Sequence, residues 1–390
     1  MIFFFFLQER QLENLIDVNL SGCKFITKLP ELRAPNLENL DLSFCENLVK
    51  FSKLWAPNLE NLYLSSCKNL VKLPKLKAPN LENLDLSYCE SLVELPKLQV
   101  PNLKNLKLTF CKNLVKLLEL WAPNLKNLDL SDCKNLVKLP KLWAPNLEYL
   151  DLFDCKNLVE IDECFGSLEK LKRWDLCYCK KLQTLPSHLR LKSLEYFALS
   201  DCLRLEKLPN FHPEMECLKT LCLIGSGIRE VPSSIEHLTE LHSLSLTNCK
   251  NLRDLPDSIY KLQQLWDLRT PTAKLRPTCD SFDGSSGYGF VNMTHLDLKG
   301  YKGIIELDLL MKPDYFPALE FINLSDTNVV TIPESISRFP RLKKLYICDC
   351  KLLREIQGLP QLISQVYADN SMLLDTQSPS GLLNQVSLFL

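Results

Sequence analysis

The phrase KLWAPNLENLYLSSCKNLVKLPKL, residues 53–76, returns 22 residues later as KLKAPNLENLDLSYCESLVELPKL. A chain that repeats so short a phrase has few folds open to it. One such phrase holds too few apolar side chains to offset the entropy of ordering it alone, and only stacking against neighbouring copies buries both of its flat faces. Aligned on Leu-x-x-Leu-x-Leu-x-x-Cys, the closing position falls at Cys23, Cys45, Cys67, Cys89, Cys111, Cys133 and Cys155, always 22 residues apart. It continues at Cys179, Cys202, Ser226 and Cys249, then near Ala273, Tyr301, Thr327, Cys350 and Ser371. Period and pattern predict a leucine-rich-repeat solenoid of about sixteen turns. The expected fold is an α/β horseshoe, with a parallel sheet on the concave side and irregular, short-strand or short-helix segments on the convex side.

Each part of the repeat has a mechanical reason. In residues 37–43, LENLDLS, strand alternation turns Leu40 and Leu42 inward and Asn39, Asp41 and Ser43 outward. Leu48 and Phe51 fill the coil from the other side, as do Leu70 and Leu73 one turn later. Pro57-Asn58, repeated as Pro79-Asn80, Pro123-Asn124 and Pro145-Asn146, is a turn that delivers the chain to the next strand. From Ser233 the outer side changes to SSIEHLTELHS, a spacing that suits short helical turns. The organisation expected is a ragged segment at 1–11, a first array at 12–268, an irregular interruption at 269–292, a second array at 293–371 and a tail at 372–390.

The chain carries 17 cysteines. Those of the repeat column sit where a strand ends and the chain turns away, so they are expected to be reduced, structural and buried. Cys177 with Cys179 and Cys348 with Cys350 form C-x-C pairs on strands, with no histidine nearby in sequence, and zinc is not expected there. The opening MIFFFFLQER lacks a basic segment and a cleavage site, so its apolar run reads as the edge of a core rather than a signal peptide. No apolar run reaches the roughly 18 residues of a membrane span. A formal net charge of −1 argues against a general nucleic-acid binder. There is no GxxxxGK[ST] phosphate loop, and the histidines at 188, 212, 237, 242 and 295 are scattered over different turns. The expectation is therefore a protein-binding surface, with no catalysis, cofactor, metal, nucleic acid or membrane partner.

Strands about 4.8 Å apart give such an array a face roughly 75 Å long. Its central outward column reads Asn19, Asp41, Tyr63, Asp85, Lys107, Asp129, Asp151, Asp175, then Ala198, Cys222 and Ser245. The flanking column runs Asn39, Asn61, Asn83, Asn105, Asn127 and then becomes Tyr149, Arg173, Tyr196. Acids and aromatics mix where the copies begin to diverge. That makes Asp129, Tyr149, Asp151, Arg173, Asp175 and Tyr196 the candidate contact patch for a basic protein surface. A second candidate is the interruption, where Tyr288 and Phe290 flank a glycine. Lysines recur on the outer side at 50, 72, 116 and 138.

The phrases LPKLWAPNLEYLDLFDCKNLVEI, VPSSIEHLTELHSLSLTNCKNLRDLPDSI and FPRLKKLYICDCKLLREIQGLPQLISQVYADNS resemble the repeat region of plant disease-resistance proteins. The class they resemble is the intracellular receptors with a TIR domain and a nucleotide-binding domain. The resemblance spans about residues 10–375, and the run from Cys350 to Pro360 looks like the last repeats of that family. It implies recognition of a pathogen effector or a guarded host protein, a share in holding a receptor inactive, and a place in the cytoplasm or nucleus. The TIR and nucleotide-binding domains would be partners if the chain is part of a longer receptor. They are not in this sequence, so ATP switching and NAD cleavage do not carry over. The alternative is a substrate adaptor of a ubiquitin ligase, since F-box proteins also carry cysteine-type repeats. Those continue C-x-x-[IL]-T-D-x-G-L after the strand, where this chain reads CKNLVKLP.

Overall fold

A computed structural model describes residues 12–73, 76–271, 290–303, 305, 307 and 315–371. The chain forms two compact units. Unit 1 comprises Met1–Leu205 with Pro209–Met215, and unit 2 comprises Glu206–Leu208 with Glu216–Leu390.

Unit 1 is built on three-residue strands, one per turn, from Asp17–Asn19 and Asn39–Asp41 through Arg173–Asp175 to Tyr196–Ala198. They are parallel and paired in repeat register, Leu40 beside Leu62 and Leu62 beside Leu84. Every turn therefore places the same column of side chains inward, and Leu40, Leu62, Leu84, Leu106 and Leu128 are all buried. The outer side of these 22-residue turns is too short for a helix and closes instead with two-residue strands such as Lys50–Phe51 and Leu54–Trp55. Where the step from Cys155 to Cys179 lengthens to 24 residues, a 3-10 turn at Glu163–Ser167 takes their place. Asp162 starts it by accepting a hydrogen bond from the Cys164 N–H at 3.0 Å. This is three turns earlier than the change expected at Ser233. The larger coils also hold larger residues in the inward column, Trp174 and Phe197, stacked at 5.1 Å.

Unit 2 repeats the plan with strands Thr220–Cys222, Ser243–Ser245, Asp267–Arg269, His295–Asp297, Phe321–Asn323, Lys344–Tyr346 and Gln365–Tyr367. Its outer side carries 3-10 turns at Ser233–His237, Asp257–Lys261 and Glu334–Arg338. Among the described residues, the outer-side helical turns of the expected α/β coil are mainly five-residue 3-10 turns.

The cysteine column is a hydrogen-bonded ladder. Each thiol reaches back to a leucine carbonyl of the preceding turn: Cys67 to Leu42, Cys89 to Leu64 and Cys111 to Leu86, at 3.1 to 3.2 Å. Burial pushes the Cys67 and Cys133 thiols up to about 12, so the ladder is held as neutral donors. In unit 2 Thr327 and Ser371 stand in the same column: the Ser371 hydroxyl donates likewise to Ile347 of the preceding turn, whereas the Thr327 hydroxyl donates to Leu324 within its own turn. The residue before the column is left-handed at turn after turn, with φ of 59 to 61° at Phe44, Ser66, Tyr88 and Phe110. Gly22, Gly225 and Gly300 hold the place where glycine would be expected.

Candidate protein-recognition face

The outward side of the unit 1 strands is knitted to itself. The Nδ2 groups of Asn61, Asn83, Asn105 and Asn127 each donate to the Oδ1 of the asparagine one turn earlier, at 2.5 to 2.6 Å. Asn39 closes the run by donating to Asp17. The ladder exists because parallel register sets identical side chains one strand spacing apart, and a primary amide can donate in one direction and accept in the other. It stops at Tyr149, which has no amide.

The aspartates beside it are turn fasteners. Oδ1 of Asp41, Asp85, Asp129, Asp151 and Asp175 accepts the backbone N–H two residues on, at 2.8 to 3.0 Å. That is the local Asx bond by which a strand is turned out of a sheet. The carboxylates are consequently drawn down onto the backbone, and Asp175 is only 8% exposed. Burial pushes Asp151 up to about 6; the bond from the Phe153 N–H opposes this, and Asp129 and Asp175 on the flanking rungs add to it.

Of the residues expected to bind, the structure brings Tyr149, Arg173 and Tyr196 together as register partners on adjacent rungs. Tyr149 is 45% exposed. The Arg173 guanidinium lies 3.9 Å over the Tyr196 ring and donates to Asp175 at 3.2 Å. Asp129 and Asp151 lie beside them, half-buried. Tyr288 falls outside the described residues. Phe290 is 1% exposed, stacked on Phe316 at 5.7 Å and tilted against Tyr260 at 5.2 Å. As a core side chain of unit 2, it presents no surface to a partner.

Unit 2 displays something the sequence reading did not single out. Five rings run diagonally across its outward face: Trp266 to His295 at 6.0 Å, His295 to Phe321 at 5.3 Å, Phe321 to Tyr346 at 5.2 Å and Tyr346 to Tyr367 at 4.4 Å. None is buried. Two of the nearby charges are paired within the unit, Arg269 with Asp267 at 3.2 Å and Lys343 with Glu320 at 3.0 Å. The signal was available in phase: the central column continues past Ser245 as Arg269, Asp297, Asn323, Tyr346, Tyr367, and its flank as Asp267, His295, Phe321. The diagonal crosses from one column to the other, so it emerges only when rings on adjacent rungs are placed in space. Among the described residues, no group of three or more His, Cys, Asp or Glu side chains stands ready to hold a metal ion.

The sequence model of disease resistance protein RPS4B-like leucine-rich repeats matches residues 190–370, and the general leucine-rich-repeat model matches 146–168. The protein SUPPRESSOR OF npr1-1, CONSTITUTIVE 1 of Arabidopsis thaliana is 33% identical over 224 residues, 57% of this chain and 14% of that protein. TMV resistance protein N of Nicotiana glutinosa is 29% identical over 241 residues, 50% of this chain and 21% of that protein. The matched stretch therefore spans only 14 to 21% of the length of these relatives. Among solved structures, a leucine-rich-repeat protein of Leptospira interrogans matches at 20% identity with a TM-score of 0.40, over 75% of this chain and 85% of that one. Together the phase of the repeat and the cysteine ladder make the chain a leucine-rich-repeat array, and over residues 190–370 it is similar to the repeats of plant disease-resistance proteins.

Proposed function

We propose that the chain is a protein-recognition module, the ligand-sensing and autoinhibitory repeat region of an intracellular plant immune receptor, and that it works without catalysis. Its ligand would be a pathogen effector or a guarded host protein, met in the cytoplasm or nucleus. TIR and nucleotide-binding domains would receive the signal.

The observation that carries this reading is the ring diagonal of unit 2. Aromatic side chains bury large area at small entropic cost and dominate protein contacts. A fold that leaves five rings in successive contact on an outward face has prepared an aromatic patch whose burial against a partner would be favourable. Tyr149, Arg173 and Tyr196 in unit 1 supply a second, polar contact, with Asp175 holding Arg173 in place and Asp129 and Asp151 fixing the turns beneath.

The test is capture of candidate effectors by the chain and by Tyr346→Ser/Tyr367→Ser and Tyr149→Ser/Arg173→Ser variants, each checked for native circular dichroism. Loss of capture in the first variant is expected, with partial loss in the second. Equal capture by all three would remove the outward face from the account.

A further inference from the structure

Unit 1 has another long face, on the outer side of its coils. There Lys28, Lys50 and Lys72 stand side by side in parallel register, followed by Glu94, then by Lys116 and Lys138, and then by Glu160. Lys72 pairs with Glu94 at 3.9 Å and Lys138 with Glu160 at 2.5 Å, so the excess positive charge of the row lies on Lys28, Lys50 and Lys116. Like charges placed directly beside one another across strands repel and cost stability. Here they recur in a chain whose net charge is −1. From Lys50 on, the residue before each is apolar and outward: Val49, Val71, Val93, Val115 and Val137 are 38 to 47% exposed. A few residues along each turn, Trp55, Trp121 and Trp143 are exposed as well, and Trp121 and Trp143 are register partners. Lysine, valine and tryptophan thus share one side of the unit.

We propose that this face docks unit 1 onto an anionic phospholipid bilayer as a peripheral contact. The charge is complementary to an acidic headgroup plane, which attracts clustered lysines over short range. Indole rings partition to the boundary between headgroups and acyl chains, and the valines supply shallow apolar area beside them. The uniformity of the face selects this occupant over an acidic protein. The same Val-Lys pair returns at nearly every turn, so the surface carries no information to fix the register of a partner with a unique sequence. A headgroup plane has no register to fix. Such a contact needs no spanning segment, and no described helix is long and apolar enough to be one. The proposal does not depend on the sheet face and stands or falls separately from it.

The experiment is co-sedimentation of the full chain with phosphatidylcholine vesicles, with and without phosphatidylserine, at low and high salt. Binding is expected only to the anionic vesicles, weakening as salt rises. Lys50→Glu/Lys72→Glu/Lys116→Glu should lose affinity on the order of a hundredfold. Trp121→Ser/Trp143→Ser should bind more weakly and lose the blue shift of tryptophan emission. Quenching of the unaltered chain by brominated lipid tests the same contact without a substitution. Equal binding to neutral and anionic vesicles, full binding by the charge-reversed protein, or absence of quenching would each overturn the proposal. So would uptake of polyglutamate by a chain that ignores anionic vesicles, which would assign the face to an acidic protein.

Discussion

Unit 1 and unit 2 use the same coil to different ends. In unit 1 the turns are near copies, and register aligns like with like: asparagine on asparagine, cysteine under cysteine, aspartate over its own turn. The outward polar groups are consumed by the scaffold that displays them. In unit 2 the periods vary, serine, tyrosine and threonine enter the closing column, and the outward positions diverge into rings. Copying builds ladders, which stiffen the array but leave few hydrogen-bonding groups free. Divergence gives up the ladders and leaves side chains to meet something else.

The largest effect that could break this contrast concerns Phe290. If its ring belongs to the interior, Phe290→Ala removes a filled core position between Tyr260 and Phe316 and should cost about 3–5 kcal/mol. Thermal unfolding reads this directly. A change near zero would return Phe290 to the surface and leave unit 2 without the core contact described for it.

The asparagine ladder offers the next test. Asn105 both donates to Asn83 and accepts from Asn127, whereas Asn127 only donates. Asn105→Ala should cost about 2 kcal/mol and Asn127→Ala about half of that, because one breaks two bonds and the other breaks one. Equal losses from denaturant titration would show that the ladder does not act as a chain of additive links.

How much of this was written in the sequence varies with the kind of interaction. The inward leucines and the cysteine column follow from period alone, because burial repeats with the chain. The role of Asp129, Asp151 and Asp175 did not follow. Alternation says that they point outward, but not that a short carboxylate can fold back on the N–H two residues along. Phe290 was misplaced for a related reason: a glycine-rich neighbourhood suggests a loop tip, yet the returning strand needs one bulky residue to refill the core. The ring diagonal depends on neighbours some 25 residues apart and on two different columns, so reading one column at a time cannot show it. The left-handed residue before the column is hidden at Phe44, Tyr88, Phe110 and Tyr178, whereas Gly22, Gly225, Gly300, Asn248 and Asn370 announce it at other turns.

Asp151 tests the electrostatics of the unit 1 face. Its folded pKa of about 6 lies above an unfolded value of about 3.9. Between these values the folded state holds the proton more tightly, so this group lowers stability as pH rises from about 4 to about 6, and the penalty is complete at neutral pH. Asp151→Asn keeps an oxygen for the Phe153 N–H and removes the charge. It should stabilise the protein at pH 7.5 by about 1 kcal/mol, allowing for screening at a partly exposed site, and the gain should vanish near pH 4. A gain independent of pH would mean that the burial of the Asp151 carboxylate, with the smaller repulsion from Asp129 and Asp175, is not its source.

The smallest effect separates strain from packing in the copied turns. Phe44 holds φ at 60° with its ring mostly in solvent, and Gly22 fills the same place one turn earlier. A left-handed backbone costs an L-residue roughly 1–2 kcal/mol, and glycine escapes that cost while surrendering about 0.5–1 kcal/mol of chain entropy. Phe44→Gly should therefore stabilise unit 1 by about 0.5 kcal/mol, visible as a small rise in Tm. Tyr88→Gly, which also forfeits the stack of its ring on Phe110 at 4.9 Å, should gain nothing or lose slightly. If both variants lost stability alike, the aromatic side chains would matter more to the turn than its backbone does, and the copied phrase would have been kept for its rings as well as for its leucines.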